Sequence, residues 1–301
     1  MDELISTRPF SIAHFTSAKK RGLLIVTFAQ GEGDVAQRVK MAEETVEIAE
    51  ALRLGDHPFF SRIDIVVPTN QRYVDHDCGK TKDALVKRLK AHRQVFIQEV
   101  PGDAFSASKN IGFGIQLRHG VDYTMTLSPE ARGYLNQATI DAITDAVCHG
   151  ALAIGVAIGE LEQSILEGRL AGTFAMWHTA AMFSVGGFDM AAAGRTMEDR
   201  EVLYVKGWSR EIDTEVYYAT AGVEEVVPLA YLVDLYGPCI APLLPCGEGV
   251  KRYQLPTDHA LLERHRQKMG TKFERQFAHL FRIRRDPSWL KGGVMPQYRP
   301  C

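Results

Sequence analysis

Five short runs of aliphatic and β-branched residues, separated by stretches of helical period, occupy the first half of the chain. The runs are residues 23–28 (LLIVTF), 63–67, 95–100, 121–127 and 151–158. The first is short, apolar and β-rich, the signature of a buried strand, and 151–158 is a buried run again. After the first, Val35, Val39, Ala42, Val46 and Ala49 recur at three- and four-residue steps, with Glu43, Glu44, Glu47 and Glu50 largely on other faces. That spacing predicts an amphipathic helix, capped by Asp34 and stopped near Gly55. A second helix carries Ala84, Leu85 and Leu89, and a third spans 109–119 with Gly120 as its left-handed cap. Asn136 starts a fourth, through Ile140, Ile143 and Val147, with Gly150 past its end. Strand and helix alternating with short links predict an α/β fold: a mostly parallel central sheet, right-handed crossovers and flanking helices.

The second half is less regular. Residues 174–177 predict a strand, 179–184 a short helix ending at Gly186-Gly187, and 195–208 a charged surface excursion. Residues 211–221 read as a helix capped by Gly222, 223–227 as a strand, and 229–236 as a helix closed by Gly237. From 258 to 280 a helix sets Leu262, His265, Met269, Phe273, Phe277 and Leu280 on one stripe and Arg264, Arg266, Lys268, Lys272 and Arg275 on another. This helical C-terminal appendage is suited to docking on the domain or to forming a homo-oligomer. The expected division is an N-terminal arm (1–20), an α/β domain (21–250) and a C-terminal helix and tail (251–301).

Composition excludes several classes. A formal net charge of -2 gives no electrostatic case for nucleic acid. Five cysteines, scattered and without CxxC spacing, predict free thiols in a reducing cytoplasm. The start MDELISTRPF has acids where an export signal needs a basic start and an apolar run. No apolar run approaches the roughly 20 residues of a membrane span, so a cytoplasmic location is expected.

The chemistry is expected around residues 106–130. Here the third helix leads into a strand in which Val121, Tyr123, Met125 and Leu127 alternate with Asp122, Thr124 and Thr126. The strand ends in Ser128-Pro129-Glu130, a polar segment at its carboxyl end. In open α/β sheets ligands bind outside the carboxyl ends of strands.

Three motifs in order resemble the A-type glycosyltransferase fold, specifically family 2-like nucleotide-sugar transferases. Ala107-Ser108-Lys109-Asn110-Ile111-Gly112 is similar to the small-residue, Arg/Lys-Asn-x-Gly helix that leads into the strand bearing the family's Asp-x-Asp metal motif. Met182-Phe183-Ser184-Val185-Gly186-Gly187-Phe188-Asp189 looks like its acceptor-side "vGGFD" turn. Ile212-Asp213-Thr214-Glu215-Val216 with Gly222 is similar to the "EDxxL…G" helix that carries its base. The resemblance covers roughly residues 20–245.

The resemblance implies transfer of a sugar from a nucleotide sugar to an acceptor hydroxyl, with Asp213 as base. It implies donor contacts from Gln30, Thr69, Asn70, Lys109, Asn110, Ser128 and Glu130, and Mn2+ or Mg2+ held by Glu130. Three positions depart from the pattern. Ser128-Pro129-Glu130 stands for Asp-x-Asp and leaves one carboxylate; Pro68-Thr69-Asn70 stands where the family has an Asp; and Ile212 replaces the first acid of the base motif. A catalytically silent relative that binds a nucleotide, a glycan or a protein is therefore the alternative. Each residue also has an ordinary structural role open to it. Asp213 could cap a helix, worth about 1 kcal/mol, Glu130 could be a water-facing turn residue, and Lys109 and Asn110 an exposed helix start. Trp177 and His178 lie where an acceptor sugar would pass or where the core packs, and Asp199 is a rival base. The cluster Asp75-His76-Asp77-Cys78 needs a partner elsewhere to hold a metal. The loop after the first strand lacks the Gly-Lys-Ser/Thr of a Walker A, and the longer Gly-rich loop with Arg of a sugar nucleotidyltransferase.

Overall fold

The computed structural model begins its sheet with β1 (Arg21–Val26), followed by α1 (Glu32–Ala51), the short hairpin β2 (Arg53–Leu54) and β3 (His57–Pro58), and β4 (Arg62–Pro68). Next come α2 (Cys78–Leu89), β5 (Val95–Val100), α3 (Ser106–Arg118), β6 (Tyr123–Leu127), a 3-10 helix (Pro129–Tyr134), α4 (Gln137–Cys148) and β7 (Ala153–Ala157). The chain continues through β8 (Leu170–His178), α5 (Thr179–Ser184), β9 (Val202–Val205), β10 (Thr214–Tyr217), α6 (Val226–Tyr236) and β11 (Ile240–Leu243). The structure describes residues 19–27, 32–69, 78–101, 106–157, 170–189, 202–205, 214–217 and 224–243, with residues 259, 262, 263, 266, 280 and 293–295.

One seven-stranded sheet, in the order β11-β7-β8-β6-β1-β4-β5, organises these elements. β1 pairs in parallel with β4 and with β6, β4 with β5, and β11 with β7. The sheet is mostly parallel, as expected; the departure is β8, antiparallel to both β6 and β7. Because β8 runs backwards, its first residues lie beside the carboxyl end of β6.

Alternate residues of the central strands feed two cores. Leu23 and Ile25 of β1 face Val39, Ala42, Val46 and Ala49 of α1 and Ile140 and Ile143 of α4. Leu24 faces Phe113 of α3, Met182 of α5 and Leu229 of α6. α1, α2 and α4 therefore cover one face of the sheet, and α3, α5 and α6 the other. Each fully buried large apolar side chain contributes about 1.5–3 kcal/mol. α3 sits close on the sheet because Gly112 lacks a Cβ, which would come within 2.4 Å of Leu24.

Several expectations are met in detail. The α1 stripe is buried, Asn136 caps α4 by accepting the Thr139 N–H at 3.0 Å, and α5 has the expected bounds. Gly120, Gly150 and Gly237 close their helices at positive φ. Others are corrected. α1 begins at Glu32, which puts Asp34 inside its first turn instead of ahead of it. The helix expected at 211–221 is not one: Thr214–Tyr217 is a strand, paired antiparallel with Val202–Val205. Of the expected strand at 223–227, Glu224 and Glu225 form a turn and Val226 and Val227 open α6. The modest propensity loss at Val226 and Val227, a few tenths of a kcal/mol each, is outweighed by burial of Val226, Leu229, Ala230 and Leu232. Pro228 is tolerated because first-turn N–H groups have no intrahelical partner.

Of the expected helix at 258–280, the described residues His259, Leu262, Glu263, Arg266 and Leu280 are helical. Leu280 is fully buried in the core on the α3 face. Val294 forms a parallel bridge with Ile240, and Met295 enters the opposite core, so described residues of the 251–301 region pack on the sheet. No described helix is long and apolar enough to cross a membrane.

Candidate functional site

The parallel pairing of β4, β1 and β6 sets their carboxyl ends side by side, where Thr27, Thr69 and Ser128 follow the strands. Thr27 is 1 % exposed; its N–H donates to Val66 O at 3.2 Å, and its Oγ1 has no hydrogen-bond partner among the described residues. A buried hydroxyl left unpaired costs about 1–3 kcal/mol. Thr69 donates both its N–H (2.9 Å) and its Oγ1 (3.2 Å) to Val100 O, tying β4 to β5. Gln30 and Asn70 lie outside the described residues.

The Ser128-Pro129-Glu130 segment opens a 3-10 helix instead of an open loop. Ser128 N–H donates to Thr173 O at 2.9 Å, and Ala131 N–H to Ser128 O at 2.8 Å. Pro129 turns inward, while the exposed Glu130 accepts a hydrogen bond from the Arg38 guanidinium of α1. Arg132 reaches the same helix, grasping Glu44 Oε2 from Nε at 2.9 Å and from Nη2 at 2.8 Å, and donates to Pro129 O at 3.0 Å. The segment is thus braced on α1 by two ion pairs. A divalent cation needs oxygen donors with charge to spare. This segment has one carboxylate, already paired with a guanidinium, and no group of three His, Cys, Asp or Glu suited to a metal occurs among the described residues. The described residues do not fit a divalent ion here.

Ser106, Lys109 and Asn110 point toward later parts of the chain and not to an open helix start. Lys109 is 5 % exposed; its Nζ lies 2.9 Å from Glu224 Oε1, 3.4 Å from Gly172 O and 4.9 Å from the centre of the Phe188 ring. Asn110 Oδ1 accepts the Phe188 N–H at 2.7 Å, and its Nδ2 donates to Phe188 O at 3.0 Å. Ser106 Oγ donates to Asp189 O at 3.0 Å.

The acid pair that Lys109 meets was not singled out in the sequence. Glu224 and Glu225, 4 % and 2 % exposed, stand just ahead of α6. Glu225 Oε2 and Glu224 Oε1 lie 3.2 Å and 3.8 Å from the point that a Cβ on Gly172 would occupy, so the early part of β8 approaches them closely with its backbone. The positive end of the α6 dipole adjoins Glu225 and favours its negative charge. Two adjacent acids before a stretch ending in Gly237 were the available signal. It was obscured by the β-branched run around them and by the better textual match at Ile212-Asp213. Asp213 lies outside the described residues.

Trp177 and His178 are both packed inside the fold. Trp177 is fully buried, with Nε1 donating to Thr126 Oγ1 at 3.2 Å. His178 Nδ1 accepts the Ala181 N–H at 3.2 Å to cap α5, and burial, with Lys19 nearby, pushes its imidazole down to about 4.

No family model and no curated protein matches the chain. Among solved structures, it is similar to a mannosyltransferase from Pyrobaculum calidifontis, in complex with GDP-Man and Mn2+, at 12 % identity and a TM-score of 0.52, covering 90 % of this chain and 67 % of that one. A 4-diphosphocytidyl-2C-methyl-D-erythritol synthase from Anaerococcus prevotii matches at 11 % identity and a TM-score of 0.36, over 56 % of this chain and 74 % of that one. The fold is that of the A-type glycosyltransferases and related nucleotide-diphospho-sugar transferases.

Proposed function

We propose that this chain transfers a sugar from a nucleotide-sugar donor to an acceptor hydroxyl, and that the proton leaves the acceptor to Glu225. The observation that carries this reading is the buried Lys109–Glu224–Glu225 cluster, seated on Gly172 of β8 beside the carboxyl end of β6. Lys109 holds Glu224 in a charge-assisted hydrogen bond, and Glu225 stands beside it at the start of α6, where the helix dipole favours a carboxylate; this supports Glu225 as the group that takes the proton. Asp213, the base implied by the resemblance, is the second candidate. Thr27, whose hydroxyl is unpaired among the described residues, joins Gln30, Thr69, Asn70 and Ser128 as a contact for the nucleotide end of the donor. The Mn2+ of the mannosyltransferase complex has no matching carboxylate set among the described residues, so no step is routed through a metal.

A specific observation favours the alternative of a silent, binding-only relative: Glu130 and Glu224 are each engaged by a cation of the chain itself. Incubation with UDP-, GDP- and CMP-sugars, with and without Mn2+, separates the readings through free nucleotide released and thermal shift. The enzyme reading expects release from at least one donor, cut to a small residual rate in Glu225→Gln and retained in Asp213→Asn. Release lost only in Asp213→Asn would return the base to that residue. A thermal shift without release supports the silent relative, and no shift with any nucleotide overturns both.

A further inference from the structure

Ser106, Lys109 and Asn110 stand at i, i+3 and i+4 on α3, the spacing that places three side chains on one helix face. That face grips the turn at residues 186–189. Asn110 pairs both backbone polar groups of Phe188, much as a neighbouring strand would. The residue before it, Gly187, has φ +74°, and a Cβ there would come within 2.4 Å of Asn110 Oδ1, so the clamp closes only on glycine. Phe188 itself is 1 % exposed, edge-on to Phe113 (5.7 Å) and Trp177 (5.4 Å), with the Lys109 ammonium over its ring. One residue on, the Asp189 N–H donates to Glu224 O at 3.1 Å. Two routes therefore connect Asn110 to the acid pair. One is the backbone, through Phe188, Asp189 and Glu224; the other is the Phe188 ring, through Lys109 to the Glu224 carboxylate.

We infer that Asn110 is a positioning residue for the acid pair and not a contact for the donor. By fixing the backbone of Phe188 it sets where Glu224, and with it Glu225, stands relative to the carboxyl end of β6. The catalytic part of this inference rests on the reading of Glu225 as base. The resemblance gives Asn110 to the donor, so the two assignments predict opposite kinetics.

The test is Asn110→Ala, with Ser106→Ala as a milder cut in the same clamp should the first fail to fold. The expected result for Asn110→Ala is nucleotide affinity within about twofold of wild type and kcat down by about tenfold or more, the equivalent of roughly 1.4 kcal/mol. Ser106→Ala moves kcat in the same direction by less. In a Glu225→Gln background neither substitution lowers the residual rate further, because residues acting through one group are non-additive. Hydrogen exchange should lose protection together at residues 187–189 and 224–229. Weakened nucleotide binding with kcat retained overturns the inference. So does faster exchange at 187–189 with none at 224–229. If wild type releases no nucleotide from any donor, the reading of Glu225 fails separately. The exchange experiment then still decides whether Asn110 controls the acid pair.

Discussion

Lys109 Nζ lies 2.9 Å from Glu224 Oε1 across 115 residues of sequence, with side-chain exposures of only 6 % and 5 %. Removing one partner of a buried pair strands the other charge and costs about 3–5 kcal/mol, whereas replacing both by apolar groups is often close to neutral. Lys109→Met should therefore destabilise the protein by an amount in that range, and Lys109→Met with Glu224→Leu should recover most of the loss. Urea denaturation of the two variants checks this; equal losses in both would mean that the pair is not buried as a unit.

Gly186 and Gly187 share a left-handed backbone, at φ +88° and +74°, but not the same surroundings. A Cβ on Gly186 meets nothing within 4 Å, whereas one on Gly187 runs into the Asn110 amide. Gly186→Ala should cost about the 1–2 kcal/mol of the left-handed conformation alone. Gly187→Ala should cost clearly more, and Asn110→Ala should absorb the excess. Denaturation midpoints of the three variants and the double variant give the comparison.

The frame was legible because each of its elements carries its own local signal. The α1 stripe, the Asn136 cap and the Gly120 closure need only a few neighbouring residues to be read. The direction of β8 was not legible, since a strand buried on both faces looks alike whichever way it runs. Nor was α6, where Val226 and Val227 pull locally toward strand and burial against the sheet decides for helix. The site suffered most. Lys109 and Asn110 were visible as a motif, but their partners lie 115 and 78 residues away. No pattern within α3 distinguishes a donor contact from a clamp. Glu224 and Glu225 acquire their meaning only when the reversed β8 brings Gly172 under them.

Glu130, the one carboxylate left at the expected metal motif, already shares its charge with Arg38. An exposed pair of this kind contributes about 0–1 kcal/mol. Glu130→Gln should thus shift stability by no more than that and leave the response of nucleotide release to Mn2+ or EDTA unchanged. Measuring release across a Mn2+ titration in both proteins decides the matter. A rightward shift of the titration in the variant would give Glu130 the metal after all.

His178 should make the fold acid-sensitive in a defined window. Its imidazole is buried and neutral, accepting the Ala181 N–H, with the Tyr123 ring 5.0 Å away. Burial, then the charge of Lys19, lowers its pKa from 6.5 to about 4 against a smaller upward pull from Asp122. Between those values the unfolded chain takes up a proton that the folded chain refuses, so stability rises with pH through the window and levels off above 6.5. The contribution lost on going down to pH 4 is about 3 kcal/mol. Asp64 works in the opposite sense, because burial pushes its carboxyl upward in spite of the Arg62 pair. That group is common to wild type and to His178→Asn, in which a good capping side chain replaces the imidazole without titrating. Subtracting the two urea-derived stability curves between pH 4 and 7 isolates the histidine. Their difference should shift against wild type by about 3 kcal/mol as the pH falls, and a difference that stays constant would mean that His178 charges freely in the folded protein.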